Sequence, residues 1–137
     1  MSLGENMTGA LLDTDFLIDL NRGKRNNWRQ RAETLLKAIN TEDLYISNIT
    51  VTEFISGIQP ARQSAVRLML QDLYFYIVPN FAEATLAGSL RQEWLAKGYS
   101  LSIADVTNAA LAISRKLVLI TRNITHYPFE NLVIKSW

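Results

Sequence analysis

The chain has no cysteine and a single histidine. The first absence excludes disulfides, thiolate metal centres and thiol nucleophiles. The second excludes a histidine-rich zinc centre. A cysteine-free chain fits a reducing cytoplasm. No apolar run approaches the ~18 residues that span a bilayer, and no basic region precedes an apolar stretch at the start. Neither a membrane segment nor a signal peptide is therefore expected. There is no G-x-G-x-x-G and no Walker sequence, so no phosphate-cradling glycine loop and no organic cofactor are expected. Repeats, low-complexity tracts and linkers are lacking too. Neither sign of charge dominates: 14 basic against 13 acidic residues give a net charge of +1, which by itself does not point to nucleic acid.

What is present reads as one globular domain. The chain has 137 residues, 48% of them hydrophobic and 20% charged, enough for one sizeable core. Met1–Asn6 is polar. Residues 1–8 read as a disordered or appended tail with Met7 as the natural start, and residues 9–137 as the domain. Short apolar runs at 10–12, 44–46, 75–78, 117–120 and 132–134 read as strands. Between them lie helical stretches at 15–20, from Trp28 to Ile39, at 50–58, through Val66, Met69, Leu70 and Leu73, at 82–97 with Gly98 as its cap, and at 103–114. This alternation predicts an α/β fold: a three-layer α/β/α sandwich around a central, mostly parallel five-stranded sheet.

Three acids follow, or sit just beyond, apolar segments far apart in the chain: Asp13 after Ala10-Leu11-Leu12, Glu53 in Ile49-Thr50-Val51-Thr52-Glu53-Phe54, and Asp105 in Leu101-Ser102-Ile103-Ala104-Asp105. Carboxylates beside a core are costly unless paired or holding a cation. Open α/β sheets gather function at the carboxyl ends of their strands. Three carboxylates at one such edge would form a hard, oxygen-rich site suited to Mg²⁺ or Mn²⁺. Each acid also has a structural reading. Asp13 suits a helix N-cap, and Asp15 a first helical turn. Thr50-Val51-Thr52-Glu53 and Ser102-Ile103-Ala104-Asp105 both match a capping box.

A fourth segment, Leu119-Ile120-Thr121-Arg122-Asn123, follows the fourth strand. Thr121 and Asn123 offer neutral oxygens, and Arg122 a guanidinium for phosphate; a polar turn is the alternative. Arg22, Lys24, Arg25, Arg29 and Arg31 fall within ten residues with no acid among them, as a phosphate-binding patch or a solvated helix face would. His126 reads as incidental.

Taken together, the four segments resemble the PIN-domain ribonucleases, especially the VapC-type toxins of toxin–antitoxin operons. The likeness rests on Leu11-Leu12-Asp13-Thr14-Asp15-Phe16-Leu17-Ile18-Asp19-Leu20, on Ile49-Thr50-Val51-Thr52-Glu53-Phe54, on the segment from Gly98 to Ala112 containing Asp105, and on Leu119-Ile120-Thr121-Arg122-Asn123. The resemblance implies a Mg²⁺- or Mn²⁺-dependent endoribonuclease. Asp13, Glu53 and Asp105 would be its metal-binding acids, with Asn123 in the fourth position, usually Asp, and with Thr14, Asp15 and Thr121 in support. Hydrolysis would leave a 5′-phosphate and a 3′-hydroxyl. An RNA substrate, a homodimer and a cognate antitoxin are implied with it. The neutral Asn123 leaves open a weakly active or inactive PIN-fold RNA- or protein-binding module. Asp13-Thr14-Asp15 also resembles the start of haloacid-dehalogenase phosphatases, but Leu17 departs from that pattern and its later motifs are missing. A receiver domain would need an acid after the third strand, where Val78-Pro79-Asn80 has none.

Overall fold

The computed structural model describes residues 7–137. Five strands, β1 (Gly9–Leu12), β2 (Leu44–Ser47), β3 (Phe75–Ile77), β4 (Leu117–Ile120) and β5 (Ile134–Lys135), alternate with six helices. The helices are α1 (Thr14–Leu20), α2 (Asn27–Ile39), α3 (Asn48–Ser56), α4 (Pro60–Leu73), α5 (Phe81–Ala96) and α6 (Ile103–Arg115). A short 3-10 turn, Ile124–His126, follows β4. The strands lie in the order β3-β2-β1-β4-β5, and every pairing is parallel.

Side chains alternate across each strand, and both faces of the sheet are buried. Leu11, Leu117 and Leu119 enter one core with Ala87, Val106, Leu111 and Phe129. Ala10, Leu12, Val118 and Ile120 enter the other with Phe16, Leu17, Ile39 and Phe54. Hence α5 and α6 cover one face, the α1–α4 group covers the opposite face, and three layers result. At Gly9 any Cβ would lie 2.5 Å from the Asp43 carbonyl oxygen, so only glycine lets β1 enter beside that turn. Gly98 adopts φ +92° just past the end of α5, the left-handed step by which glycine closes a helix.

Some boundaries differ from those expected. The fifth strand is Ile134–Lys135, and Leu132 is a buried anchor in the loop before it. Leu73, expected on the inward face of α4, is 56% exposed, because Val66 and Leu70 face the core. The expected tail at 1–8 mostly lies outside the described residues. Thr8 is described, and its N–H donates to the Lys116 carbonyl at 2.9 Å. Among the described residues, no helix is long and apolar enough to cross a membrane.

The chain runs outward from β1 through β2 to β3, then returns to place β4 on the other side of β1. The carboxyl ends of β1 and β4 therefore form the switch point of the sheet, where α/β folds open a crevice for ligands.

Candidate active site at the carboxyl ends of strands β1 and β4

Asp13 directly follows β1 and caps α1, its Oδ1 accepting the Thr14 N–H at 2.8 Å. The capping reading is correct but accounts for only one oxygen. Oδ2 accepts from the Thr121 hydroxyl at 2.9 Å and from the Tyr127 hydroxyl at 3.0 Å. Asp13 is 8% exposed, and these two hydroxyls offset part of its lost hydration. Thr121 comes from the end of β4, paired to β1 through Leu12 and Ile120, so the two strand ends carry the pair together.

Asp15, in the first turn of α1, accepts the Arg122 N–H on Oδ2 at 2.9 Å. Its Oδ1 is buried without a hydrogen-bond partner. Burial, and then the neighbouring Asp13 charge, raise its pKa from the ordinary 3.8 to about 6. Burial is the larger of the two causes.

Asp105 lies in the first turn of α6. Ser102 caps that helix by accepting the Asp105 N–H at 3.0 Å. The reciprocal half of the expected capping box is missing, because the Asp105 carboxylate turns to the site. Its Oδ1 stands 3.3 Å from the Tyr127 hydroxyl, and its Oδ2 3.4 Å from Nδ1 of His126. Tyr127 thus spans Asp13 and Asp105. Burial above all, then the charges of Asp13 and Asp105, push its phenol well above the usual range, so it remains a donor.

The capping box expected at Glu53 is not formed. The N-cap of α3 is Ser47, whose hydroxyl accepts the Thr50 N–H at 3.3 Å. Thr50 is buried within the helix and donates to the Leu12 carbonyl at 3.2 Å. Starting the helix earlier frees Glu53, whose Oε1 accepts from the Thr14 hydroxyl at 2.7 Å. Glu53 therefore joins the site through α1. A buried bond from the Ser47 hydroxyl to Asn108 Oδ1 at 2.6 Å ties the end of β2 to α6 and holds the two acidic helices in register.

Asn123 makes no side-chain hydrogen bond to an acid among the described residues. It is exposed, its amide caps nothing, and its backbone N–H donates to the Thr121 hydroxyl at 3.1 Å. In that segment it is Thr121, through its hydroxyl on Asp13, and Arg122, through its N–H on Asp15, that touch carboxylate. Tyr127 is the site residue that sequence reasoning missed. No periodicity marks it, and its only signal is a tyrosine shortly past the fourth motif. An open pocket of about 330 Å³ flanks Asp105, lined by Tyr99, Ser100, Ser102, Thr125 and His126. A larger one, about 580 Å³, lies against α2 and Trp137 and holds none of the acids.

The basic cluster divides. Buried Asp19 accepts from Arg22 Nε at 2.6 Å and from Trp137 Nε1 at 2.9 Å, and stands 3.6 Å from Arg122 Nη1. Arg29 pairs with Glu33 at 3.0 Å and donates to the Arg22 carbonyl at 2.8 Å. The Arg31 and Arg122 guanidiniums lie 4.5 and 3.9 Å from the Trp28 ring centroid. Lys24 and Arg25 are exposed, with no acidic partner among the described residues. A single free basic face was expected; Arg22 and Arg29 instead brace the end of α1.

The donor chemistry fits a hard divalent cation: carboxylate oxygens, one of them orphaned and buried on Asp15, at the switch point of the sheet. Among the described residues, however, no three of His, Asp and Glu stand close enough to hold an ion as they are.

The comparisons with known proteins give the family and the fold. Residues 10–128 match the model of the PIN domain. A chain of a toxin–antitoxin complex from Klebsiella pneumoniae is 31% identical, with a TM-score of 0.73, over 90% of this chain and 95% of that one. A chain of DNA-bound VapBC from Salmonella typhimurium is 26% identical, with a TM-score of 0.73, over 96% and 98%. VapC20 of Mycobacterium tuberculosis, a toxin that cleaves the sarcin–ricin loop, shares the fold at 16% identity and a TM-score of 0.62, over 92% and 99%. No curated protein sequence matches. Asp13, Glu53 and Asp105 fall inside the matched span, and the chain belongs to the PIN domain family.

Proposed function

We propose that the protein is a divalent-metal-dependent endoribonuclease acting as the toxin of a VapBC-type pair. The observation that carries this reading is the joining of Asp13 and Asp105 through one hydroxyl at the ends of β1 and α6, with Glu53 attached through Thr14. Asp13, Asp105 and Glu53 would hold Mg²⁺ or Mn²⁺. Such an ion supplies a Lewis acid for the phosphate and makes a bound water more acidic.

The protein's own residues orient and screen this chemistry. Thr121 fixes one Asp13 oxygen, and Thr14 fixes Glu53. The Arg122 backbone holds Asp15, while its guanidinium is held against Trp28 and Asp19 near the same strand end. That places positive charge beside the acids, where a phosphodiester needs it. The pocket beside Asp105 is lined by hydroxyls and an imidazole, groups suited to a nucleoside flanking the scissile bond. The antitoxin partner, the homodimer and the RNA substrate belong to this reading; the similar complexes from Klebsiella and Salmonella support the first of them.

The test is cleavage of RNA with Mg²⁺ or Mn²⁺, comparing wild type with Asp13→Ala and with an EDTA control. Wild type should cleave only with metal. Asp13→Ala should lose cleavage while remaining folded: the lost N-cap costs ~1 kcal/mol, and the Thr121 and Tyr127 hydroxyls keep Asp15 and Asp105 as acceptors. A second reading, a PIN-fold RNA- or protein-binding module without catalysis, draws on the neutral Asn123 and on the spacing of the acids. It predicts RNA retention without cleavage in both proteins.

A further inference from the structure

Tyr127 has a position that the proposed nuclease chemistry does not call for. Its ring is 3% exposed and enters the core beside Phe129, Leu101 and Ala109. Its hydroxyl emerges between two carboxylates, 3.0 Å from Asp13 Oδ2 and 3.3 Å from Asp105 Oδ1. A phenol carries one proton. It can donate to only one carboxylate at a time, and the remaining contact sets two acceptors against each other. A cation has no such limit, since one positive centre satisfies both anions. The same hydroxyl stands within hydrogen-bond range of both acids, and no three acidic or histidine side chains among the described residues are close enough to hold an ion.

We propose that Tyr127 is a positioning residue that stands in for the cation: its hydroxyl bridges Asp13 and Asp105, keeps the acidic pocket folded when no ion is bound, and must give up that bridge when one enters. Tyr127 therefore sets the metal affinity by competing for the two carboxylates. This inference rests on the metal-dependent reading above. The ring is packed in the core, and the 3-10 turn Ile124–His126 directly before it is the segment that would have to shift to withdraw the hydroxyl. His126 faces the other Asp105 oxygen at 3.4 Å and is the group positioned to hold that carboxylate once the phenol leaves.

The test uses the whole chain and Mn²⁺ as the probe. Mn²⁺ binding is measured by calorimetry, and melting temperatures are recorded with EDTA and with saturating Mn²⁺. Wild type is compared with Tyr127→Phe, which keeps the ring. Tyr74→Phe, at a partly buried tyrosine that packs in the other core, is the control. Tyr127→Phe should melt a few degrees lower in EDTA and bind Mn²⁺ about tenfold more tightly, because a competing hydrogen bond to charged groups is gone. Tyr74→Phe should leave the Mn²⁺ affinity unmoved. Unchanged or weaker Mn²⁺ binding in folded Tyr127→Phe overturns the proposal while leaving the nuclease reading intact. Absence of Mn²⁺ binding by wild type overturns the nuclease reading itself. If Tyr127→Phe does not fold, the ring-carbon resonances of wild type labelled at tyrosine decide. Of the five tyrosines, Tyr127 should shift most on titration with diamagnetic Mg²⁺, and an unmoved Tyr127 signal overturns the proposal.

Discussion

At the scale of the residue, Asp15 is the least settled charge in the site. One of its oxygens is held by Arg122 and the other is buried and unpartnered. Its pKa stands near 6, above the ordinary 3.8, first through burial and then through Asp13. Because the folded value is raised, the folded chain binds the proton more tightly than the unfolded chain does. Its contribution to stability is complete below about pH 4 and is lost as pH rises through about 6. Asp15→Asn should therefore melt above wild type at pH 7 in EDTA, with the difference fading toward pH 4. Melting curves over that window check it. Saturating Mn²⁺ should narrow the gap at pH 7, since an ion offsets the same repulsion that the substitution removes.

At the scale of the element, α6 and α5 show how secondary structure aims the site. Ser102 begins α6 and fixes which face Asp105 presents. The helix is buried along Val106, Ala109, Ala110 and Leu111, so it cannot rotate without opening the core. Helix α5 starts with a complete capping box between Asn80 and Glu83. Glu83 is also bound by Arg115 from the last turn of α6, at 2.8 and 2.9 Å, and Arg115 donates to the Val78 carbonyl as well. The Arg115 hydrogen bond is the main reason that the Glu83 pKa lies near 2, below the ordinary 4.5. That stability is present above about pH 4.5 and lost as pH falls toward 2. Arg115→Ala leaves a buried carboxylate unpaired and should cost about 3 kcal/mol, read by urea melts at pH 7. The loss should shrink as pH falls through about 2, where Glu83 of wild type takes up its proton as well.

At the scale of the whole molecule, a net charge of +1 leaves RNA binding to local patches. Of the basic residues near α1 and α2, Lys24 and Arg25 are exposed, whereas Arg22 and Arg29 are paired with Asp19 and Glu33. The double variant Lys24→Ala, Arg25→Ala should bind RNA more weakly and lower the slope of log affinity against log salt by about 0.7 per contact removed. Its melting temperature should be unchanged. Arg22→Ala should do the opposite, lowering the melting temperature because buried Asp19 loses its shortest partner. Salt titrations of RNA binding, read beside thermal melts, separate the two groups.

Much of the architecture was legible in the chain itself. Short runs of Leu, Val and Ile such as Leu117–Ile120, bounded by polar residues, read as strands buried on both sides. Alternating with helices, such strands are driven into a parallel sheet. The same logic put Asp13 and Thr121 at strand ends. Tertiary structure alone decided what the carboxylates do. A capping box is a local pattern, and both Thr50-Val51-Thr52-Glu53 and Ser102-Ile103-Ala104-Asp105 satisfy it. At Glu53 the helix began earlier at Ser47, and at Asp105 the side chain turned away, because Thr14 and Tyr127 offered hydroxyls from other segments. Whether Arg22 is free or paired also depends on Trp137, over a hundred residues along the chain, which meets the same buried Asp19. Periodicity reports which face of an element is apolar. It carries no information about which polar group from a distant element will meet a given side chain, and at this site that meeting sets the chemistry.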